Sequence, residues 1–594
     1  MRTRLVFSVL LACACASPSL VGCGSGTASP DAGSVDDDQA AVDAAANALT
    51  FDVIARENAS EDEVKTELEL PSVVGDNVQV SWESSADIID SGGAVGRETC
   101  VLEDVSVTLT AALTRGEASA TVIFDLTVPR HTDEEAVDLA RAALEAPTVE
   151  DIEDLDLPAE GVCETAIAWA SDSPLVDVET GEVVASYQSE EVTLTATLSR
   201  GGAEEERAFS LSLAEGAFTC RAWELLGADD TDEGFAFGDG DLATEPYYVC
   251  TAAHLDSIRH ALAADVVLGA DIDLDEYAAG AGWLPIGRHD DPFTGAFDGR
   301  GRAISGLAID RDETDYVGLF AAIAGATVRD VSLTSVHVVG NDQVGAIAGE
   351  MFGGALADVA VAGYVQAKEG LHGGGLVGRV RDGATIERGA SQGQVRGSGN
   401  VIGGLIGLLG DGTLRASSSS AAVDGGDSIG GAVGMVGADG VVQATFATGS
   451  SSAEDQGGKT GARAGGLVGF NLGTISDSFA RGAVDAEVSN AGGLVGHNGN
   501  GGIIERSYAT GEVESGASEG GLIGNNSGAV IDSYFDVDAA ATGDGVGFGS
   551  DDGVFARSTD DMTLPFDADT YETWDFVDVW IGEAGVNDGY PSLR

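Results

Sequence analysis

Residues Gly465–Gly502 read GGLVGFNLGTISDSFARGAVDAEVSNAGGLVGHNGNGG and carry the element GGLVG twice. Such a glycine-rich pentapeptide is either a loop that cradles a ligand or a feature that the fold needs repeatedly, and its recurrence decides. Equivalent elements occur at Val317-Gly318-Leu319-Phe320 and Val344-Gly345-Ala346-Ile347, and then end at Gly378, Gly407, Gly434, Gly469, Gly496 and Gly524. Between the glycines that precede Leu or Ala, the steps are 27, 30, 29, 27, 35, 27 and 28 residues. A period of this size belongs to a solenoid, whose units cannot bury their apolar faces without neighbours.

Aligned on this element, the units form columns. One is aliphatic throughout: Val328, Leu356, Ile386, Leu414, Val442, Ile475, Ile504 and Val530. Like residues at fixed positions are what a coil of parallel strands requires, because each side chain lies about 4.8 Å above its counterpart. The expected fold is therefore a parallel β-helix of about ten coils. The columns resemble the GLUG motif of bacterial surface proteins, GGLVG-x-N…G-x-I-x-x-S-x-A-x-G-x-V, over residues 316 to 538 and most closely in the last three units. That resemblance implies adhesion or surface contact and no reaction. Upstream, HLDSIRHAL reads as a short helix capping the first coil. Downstream, the segment with Trp574 and Trp580 reads as a C-terminal closure.

Counted from the aliphatic column, positions five, seven and nine (Ala509, Gly511 and Val513 in one unit) face inward by strand alternation, so positions four and six face out. Position four carries Phe446, Phe479, Tyr508 and Tyr534 in four successive units. This outward aromatic ladder is the candidate ligand surface, for stacking sugar rings or meeting a partner protein. The alternative is a self-stabilising stack or contact with the C-terminal closure. Position two reads Asp477, Arg506, Asp532, a salt-bridged ladder or, on a sharper reading, a paired-carboxylate glycosidase site. Asn471, Asn498 and Asn526 align as a stacked amide ladder.

Other motifs fail on spacing. Gly458-Lys459-Thr460 resembles a P-loop, but Ala453 stands where its first glycine belongs. The stretches Asp229–Gly234 and Gly238–Leu242 are partial calcium-loop look-alikes without the full ligand spacing, so Ca²⁺ is at most a weak expectation and no other cofactor or metal is implied. The sequence contains neither H-E-x-x-H nor G-x-S-x-G.

Ahead of the repeats the same pattern occurs twice. Trp82 corresponds to Trp169, and Val107-Thr108-Leu109-Thr110-Ala111 to Val192-Thr193-Leu194-Thr195-Ala196. Alternating apolar positions bounded by turn residues read as small β-sandwiches. Each opens with a helical piece, clearest at TDEEAVDLARAAL, where Thr132 and Glu135 have capping-box spacing. Both copies resemble atrophied bacterial Ig domains through their ELP/DLP, W-x-S and VTLTA-x-L-x-R-G elements, which implies spacers on surface proteins with both tryptophans as core anchors.

The formal charge of −70, from 99 acidic and 29 basic residues, makes nucleic acid an improbable partner. It suits a saline habitat, divalent cations, or simply a soluble extracellular surface. The N-terminus has Arg2 and Arg4, a short apolar run and then Leu20-Val21-Gly22-Cys23. This is the layout of a secretory signal, and it resembles a bacterial lipobox, implying lipidation at Cys23 and a membrane anchor, with the outer membrane or cell surface as location. Of the remaining cysteines outside the signal, Cys220 and Cys250 are the expected disulfide, with Cys100 and Cys163 as a second pair.

The expected layout of this all-β chain is a lipoprotein signal peptide over 1–22 and an acidic tether over 23–39. Ig-like modules follow over 40–130 and 131–215, then a cysteine-bounded linker over 216–250, the β-helix over 251–540 and a C-terminal cap over 541–594. The expected function is non-catalytic adhesion to a glycan or surface protein. A β-helix polysaccharide hydrolase or lyase and a purely structural envelope role are the alternatives.

Overall fold

The computed structural model describes residues 35–147, 155–187, 189–214, 216–398, 401–453, 462–486 and 490–594. The signal peptide, Cys23 and the P-loop-like Gly458-Lys459-Thr460 lie outside them. The chain divides into two compact units, one made of the N-terminal modules and one running from Ser212 to Arg594, which also takes in 173–175 and 184–190.

Each N-terminal module is a single four-stranded antiparallel sheet with sequential strand order, where a two-sheet sandwich was expected. The reason lies in the strands, which have one apolar face only. In Val105–Arg115, Val107, Leu109, Ala111 and Leu113 are buried while the intervening threonines are not. A helix covers that face in place of a second sheet: Val42 and Ala45 of helix Val35–Ala48, with Leu49 just after it, pack into the cluster. This helix begins inside the expected tether, with Asp36, Asp37 and Asp38 in its first turn, where the helix dipole favours carboxylates. In the second module helix Asp133–Ala143 buries Ala136, Val137 and Ala140 and is closed by the capping box of Thr132 and Glu135. The two tryptophans behave identically. Trp82 and Trp169 donate Nε1–H to the carbonyls of Pro71 and Pro158 at 2.9 Å, and each ring lies 5.9 Å from a phenylalanine, Phe124 or Phe209. Cys100 and Cys163 form a disulfide between the modules.

The second unit is a parallel β-solenoid. One coil runs through strands Arg463–Gly465, Val468–Asn471, Thr474–Ser476, Phe479–Ala480 and Val484–Ala486, and the next starts at Asn490–Gly492. Pairing is parallel and one coil apart, with Val468 opposite Val495, Ile475 opposite Ile504 and Val484 opposite Val513. Nine strands stack in the sheet containing Val468–Asn471 and six in the sheet containing Arg463–Gly465, among the described residues. The aliphatic column is interior from Val328 to Val530. GGLVG is where these two sheets meet. A Cβ on Gly469 would lie 2.5 Å from the backbone nitrogen of Ile429, and one on Gly466 would strike the carbonyl of Gly493. The glycines therefore permit contact between backbones and hold no ligand.

Past the aliphatic column the chain turns a corner. Position two is left-handed in coil after coil, with φ of 51° at Asp477, 45° at Arg506 and 48° at Asp532. The next residue satisfies the polar groups released there. Ser478 and Ser507 donate their hydroxyls to the carbonyls two residues back, at 2.7 and 2.9 Å, and accept the N–H of Thr445 and Ser478 from the preceding coil. The amide ladder is also present: Asn471 donates to Asn498 at 2.9 Å and Asn498 to Asn526 at 3.0 Å, all buried.

At the N-terminal end, helix Ala252–Ser257 and the 3₁₀ turn Ile258–His260 bury Leu255 and Ile258 over the first coil. The disulfide Cys220–Cys250 closes a 30-residue loop beside it, a constraint worth about 3–4 kcal/mol on loop entropy.

Replacing Asn498 by Leu strands amide groups of Asn471 and Asn526, each costing about 1–3 kcal/mol. Denaturant unfolding of Asn498→Leu is expected to show that loss, and Asn525→Ala, on the outer side of the strand that carries Asn526, a far smaller one; equal effects would refute the ladder's role. A second expectation concerns acid. Burial pushes the Asp342 carboxyl up, but hydrogen bonds from the His372 side chain and from the N–H groups of His372 and Gln343 outweigh it and bring it down to about 2. A depressed carboxyl stabilises the fold above its unfolded value and ceases to do so as pH falls through the folded one. Amide protection around His372, measured relative to intrinsic exchange at each pH, is expected to fall as pH drops from 4 toward 2, and less so in Asp342→Asn.

Candidate ligand-binding flank

The position-four column is continuous across eight coils, pairing Ser332, Ala360, Ala390, Ser418, Phe446, Phe479, Tyr508 and Tyr534 in register. It points out of the coil, as strand alternation predicts, while position five (Ala447, Ala480, Ala509, Phe535) points in. Three rings form a parallel stack: Phe446 to Phe479 at 4.8 Å and 3°, and Phe479 to Tyr508 at 4.9 Å and 7°.

The expected ligand surface is nevertheless covered over most of its length. Phe479, Tyr508 and Tyr534 are buried in a cluster with Met562, Tyr571, Trp574, Trp580 and Tyr590. The C-terminal segment thus lies along the flank as a clasp, where an end closure was expected. Its hold is polar as well as apolar. Tyr508 donates its hydroxyl to the carbonyl of Pro591 and accepts from Asn587, both at 2.7 Å. Burial keeps that phenol protonated far above its ordinary range. Arg481, at position six, binds Asn587 and Asp588 at 2.7 Å and lies over the Tyr590 ring. Trp574 donates to the carbonyl of Asp532 at 3.0 Å. Of the four ladder rings only Phe446 keeps a half-exposed face.

Upstream of Phe446 the flank is open. Position four there is small, and the surface forms a trough of about 410 Å³ that ends at Phe446 and is lined by no charged residue. Position six supplies Thr334, Gln392, Ser420 and Thr448 along its side. The side chains of Thr334, Gln392, Ser418 and Thr448 make no hydrogen bond among the described residues. In a chain of charge −70 this strip is an uncharged, hydroxyl-rich surface.

The remaining sequence candidates are structural. Arg506 grips Asp477 through Nε and Nη2 at 2.7 and 2.9 Å, and in the same column four coils earlier Arg388 grips Asp358 at 2.6 and 2.8 Å. Asp477 is buried in that pair, so the two carboxylates do not face one cleft. In the calcium look-alikes, Asp239 accepts from Thr244, and Asp230 lies 3.0 Å from His254. Among the described residues no group of three or more His, Cys, Asp or Glu is arranged to hold a metal ion. Sequence reasoning missed a second outward column, the residue directly after each GGLVG: Arg379, Leu408, Met435, Phe470 and His497 pair in register. Its signal was present in the repeat alignment. Arg463 caps the Phe470 ring at 4.5 Å, and burial, then Arg463, lowers the His497 pKa.

Tyr508→Phe removes the hydroxyl that ties the clasp to Pro591 and leaves the ring stack in place. Limited proteolysis is expected to release the segment after Ser558 faster than in the parent, with the solenoid intact; an unchanged cleavage rate would show the clasp to be held by its apolar contacts alone.

Comparison with known proteins agrees with these two architectures. The family model of the atrophied bacterial Ig domain matches residues 42–131 and 133–215, and that of the GLUG motif matches residues 488–514. A "Putative Gly-rich membrane protein" of Evansella cellulosilytica is 39% identical over 127 residues, 20% of this chain and 15% of that protein. "Halomucin" of Haloquadratum walsbyi is 33% identical over 196 residues, 31% of this chain and 2% of that protein. The chain therefore spans only a small part of either relative's length. A solved structure titled "IgA1 Protease" aligns over 84% of this chain and 29% of its own, at 14% identity and a TM-score of 0.30, too low to carry weight. Residues 42–215 are thus a pair of atrophied bacterial Ig domains, and the β-solenoid that follows them in the chain carries the GLUG motif.

Proposed function

We propose that this is a non-catalytic, surface-displayed protein, lipid-anchored at Cys23, whose solenoid binds an uncharged glycan along the flank of its coils. The observation that carries the reading is the trough from Ser332 to Phe446. It combines an uncharged floor, unengaged hydroxyl and amide groups, and one aromatic face at its end, the combination that suits a hydroxyl-rich chain with apolar ring faces. An extended peptide fits less well. The trough lies on a sheet face whose backbone groups are taken up by coil-to-coil pairing, so it offers no edge for strand addition. The salt bridge on Asp477 supports the non-catalytic reading over the glycosidase alternative, since both of its carboxylate oxygens are taken up by Arg506. Anchoring rests on the lipobox-like Leu20-Val21-Gly22-Cys23 and accords with the relative whose name places it at a membrane.

Neutral oligosaccharides arrayed against the full chain without its lipid are expected to include binders. Phe446→Ala should weaken them about tenfold, the order of one lost ring contact plus its buried area. Phe479→Ala would disturb the clasp as well and is the poorer test. Binding indifferent to Phe446→Ala and Gln392→Ala would remove the trough from the reading, and sustained cleavage of any glycan would overturn the non-catalytic assignment.

A further inference from the structure

A second cavity, of about 510 Å³, lies at the opposite end of the solenoid from the clasp, and its lining includes Arg259, Arg288, His289, Asp291, Asp315 and Tyr316. Basic groups are scarce in this chain, 29 Lys and Arg against 99 acidic residues, so their convergence on one cavity is informative. The turn that carries Arg288 and His289 is rigid. Arg288 and Asp291 exchange backbone hydrogen bonds at 2.9 and 3.2 Å, and the chain is pinned on either side where Ile286 and Phe293 donate N–H to Leu319 and Ala322.

Beneath that turn sits Glu350. It belongs to the outward column that continues as Arg379 and Leu408, yet it is only 1% exposed. Arg381 donates to its Oε1 at 2.8 Å, and Arg379 lies 3.7 Å from the same oxygen. Its Oε2 makes no hydrogen bond among the described residues and faces Nδ1 of His289 at 3.0 Å, an ion-pair contact without hydrogen-bond alignment. The His289 ring is stacked 4.4 Å from Tyr316 and edge-on to Phe352 at 5.4 Å. One nitrogen of His289 is thereby turned toward a buried carboxylate, and the other is left for the cavity. Tyr316 is kept a donor, because burial and then the charges of Glu350, Asp315 and Asp342 raise its pKa. Arg259 is already engaged by Asp256, whereas the exposed Arg288 side chain has no partner among the described residues.

We propose that this cavity binds the carboxylate of an acidic sugar residue, a uronate, through Arg288 and the outer nitrogen of His289, with Glu350 as the positioning residue behind the histidine. Arg288 supplies the fixed charge and Tyr316 a directed donor, and the outer nitrogen of His289 donates when both ring nitrogens carry protons, one facing each carboxylate. The exposed Leu284 gives the pyranose ring an apolar wall, and Asp291 and Asp315 accept from its hydroxyls. The site is independent of the uncharged trough, and either can exist without the other.

Calorimetry tests it with the full chain carrying Phe446→Ala, which removes the ring contact of the trough, using an oligogalacturonate and its methyl ester, which differ in the charge and one methyl of each uronate. The acid is expected to bind, and the ester about tenfold or more weakly, the worth of one charge-assisted hydrogen bond. In that background Arg288→Ala and His289→Gln should each weaken the acid by a similar factor. Circular dichroism of each variant separates a lost site from a lost fold. Acid and ester binding alike, no binding of the acid, or indifference to both Arg288→Ala and His289→Gln in folded protein would overturn the proposal.

Discussion

Two backbones that pass closer than a methyl group permits govern this solenoid. Where the nine-stranded and six-stranded stacks meet, Gly466 and Gly469 leave no space for a Cβ, and the same holds at Gly493 and Gly496 one coil on. With the sheets in contact there, leucine and valine of GGLVG turn into the interior, and the aliphatic column closes it from the other side. Any side chain at these glycines would open two coils at once, because each glycine abuts the backbone of a neighbour. Dispersion and burial then act along the whole stack, unit upon unit.

A coil this narrow must turn sharply, and its corners expose backbone groups. Hydroxyls of the serine column and amides of the asparagine column satisfy them from inside the protein, so the turns need no water. The surface is thereby relieved of structural duty at most positions. That freedom explains how an excess of carboxylates is tolerated outside, with arginines placed against particular aspartates such as Asp358 and Asp477. It also makes the exceptions visible: an uncharged strip beside Phe446 and a cavity that gathers two arginines beside Glu350 stand out against an acidic surface.

Much of this was legible in the sequence. The repeat of Gly and aliphatic residues determines the solenoid, its register and which residues face inward, because like residues must stack when strands are parallel and one coil apart. The serine, asparagine and Asp477–Arg506 ladders follow from the same alignment. The fate of the aromatic ladder was legible only as the alternative to a ligand surface, contact with the C-terminal closure, and the alignment could not choose between the two. Phe479 and Tyr508 read as exposed because alternation tells which side of a strand a residue occupies and is silent about what lies beyond it. The clasp is joined to the ladder across 83 residues, from Tyr508 to Pro591, and no period connects them. The sandwich expected of the N-terminal modules failed for a related reason: alternation identifies one apolar face, and a helix covers it as well as a sheet does. The pairing of His289 with Glu350 joins a turn to a coil two strands away, again outside any repeat.

The clasp also alters how the solenoid can come apart. A stack of near-identical coils frays from its ends, each unit leaving at little more than the cost of its own interface. Here the contacts of Tyr590, Trp574 and Asn587 span the coils of Phe479, Tyr508 and Tyr534, so none of these can detach singly while the segment is seated. The C-terminal third of the solenoid therefore opens as a block, its lifetime governed by one detachment step, and the durability of those coils is set by a segment that belongs to none of them.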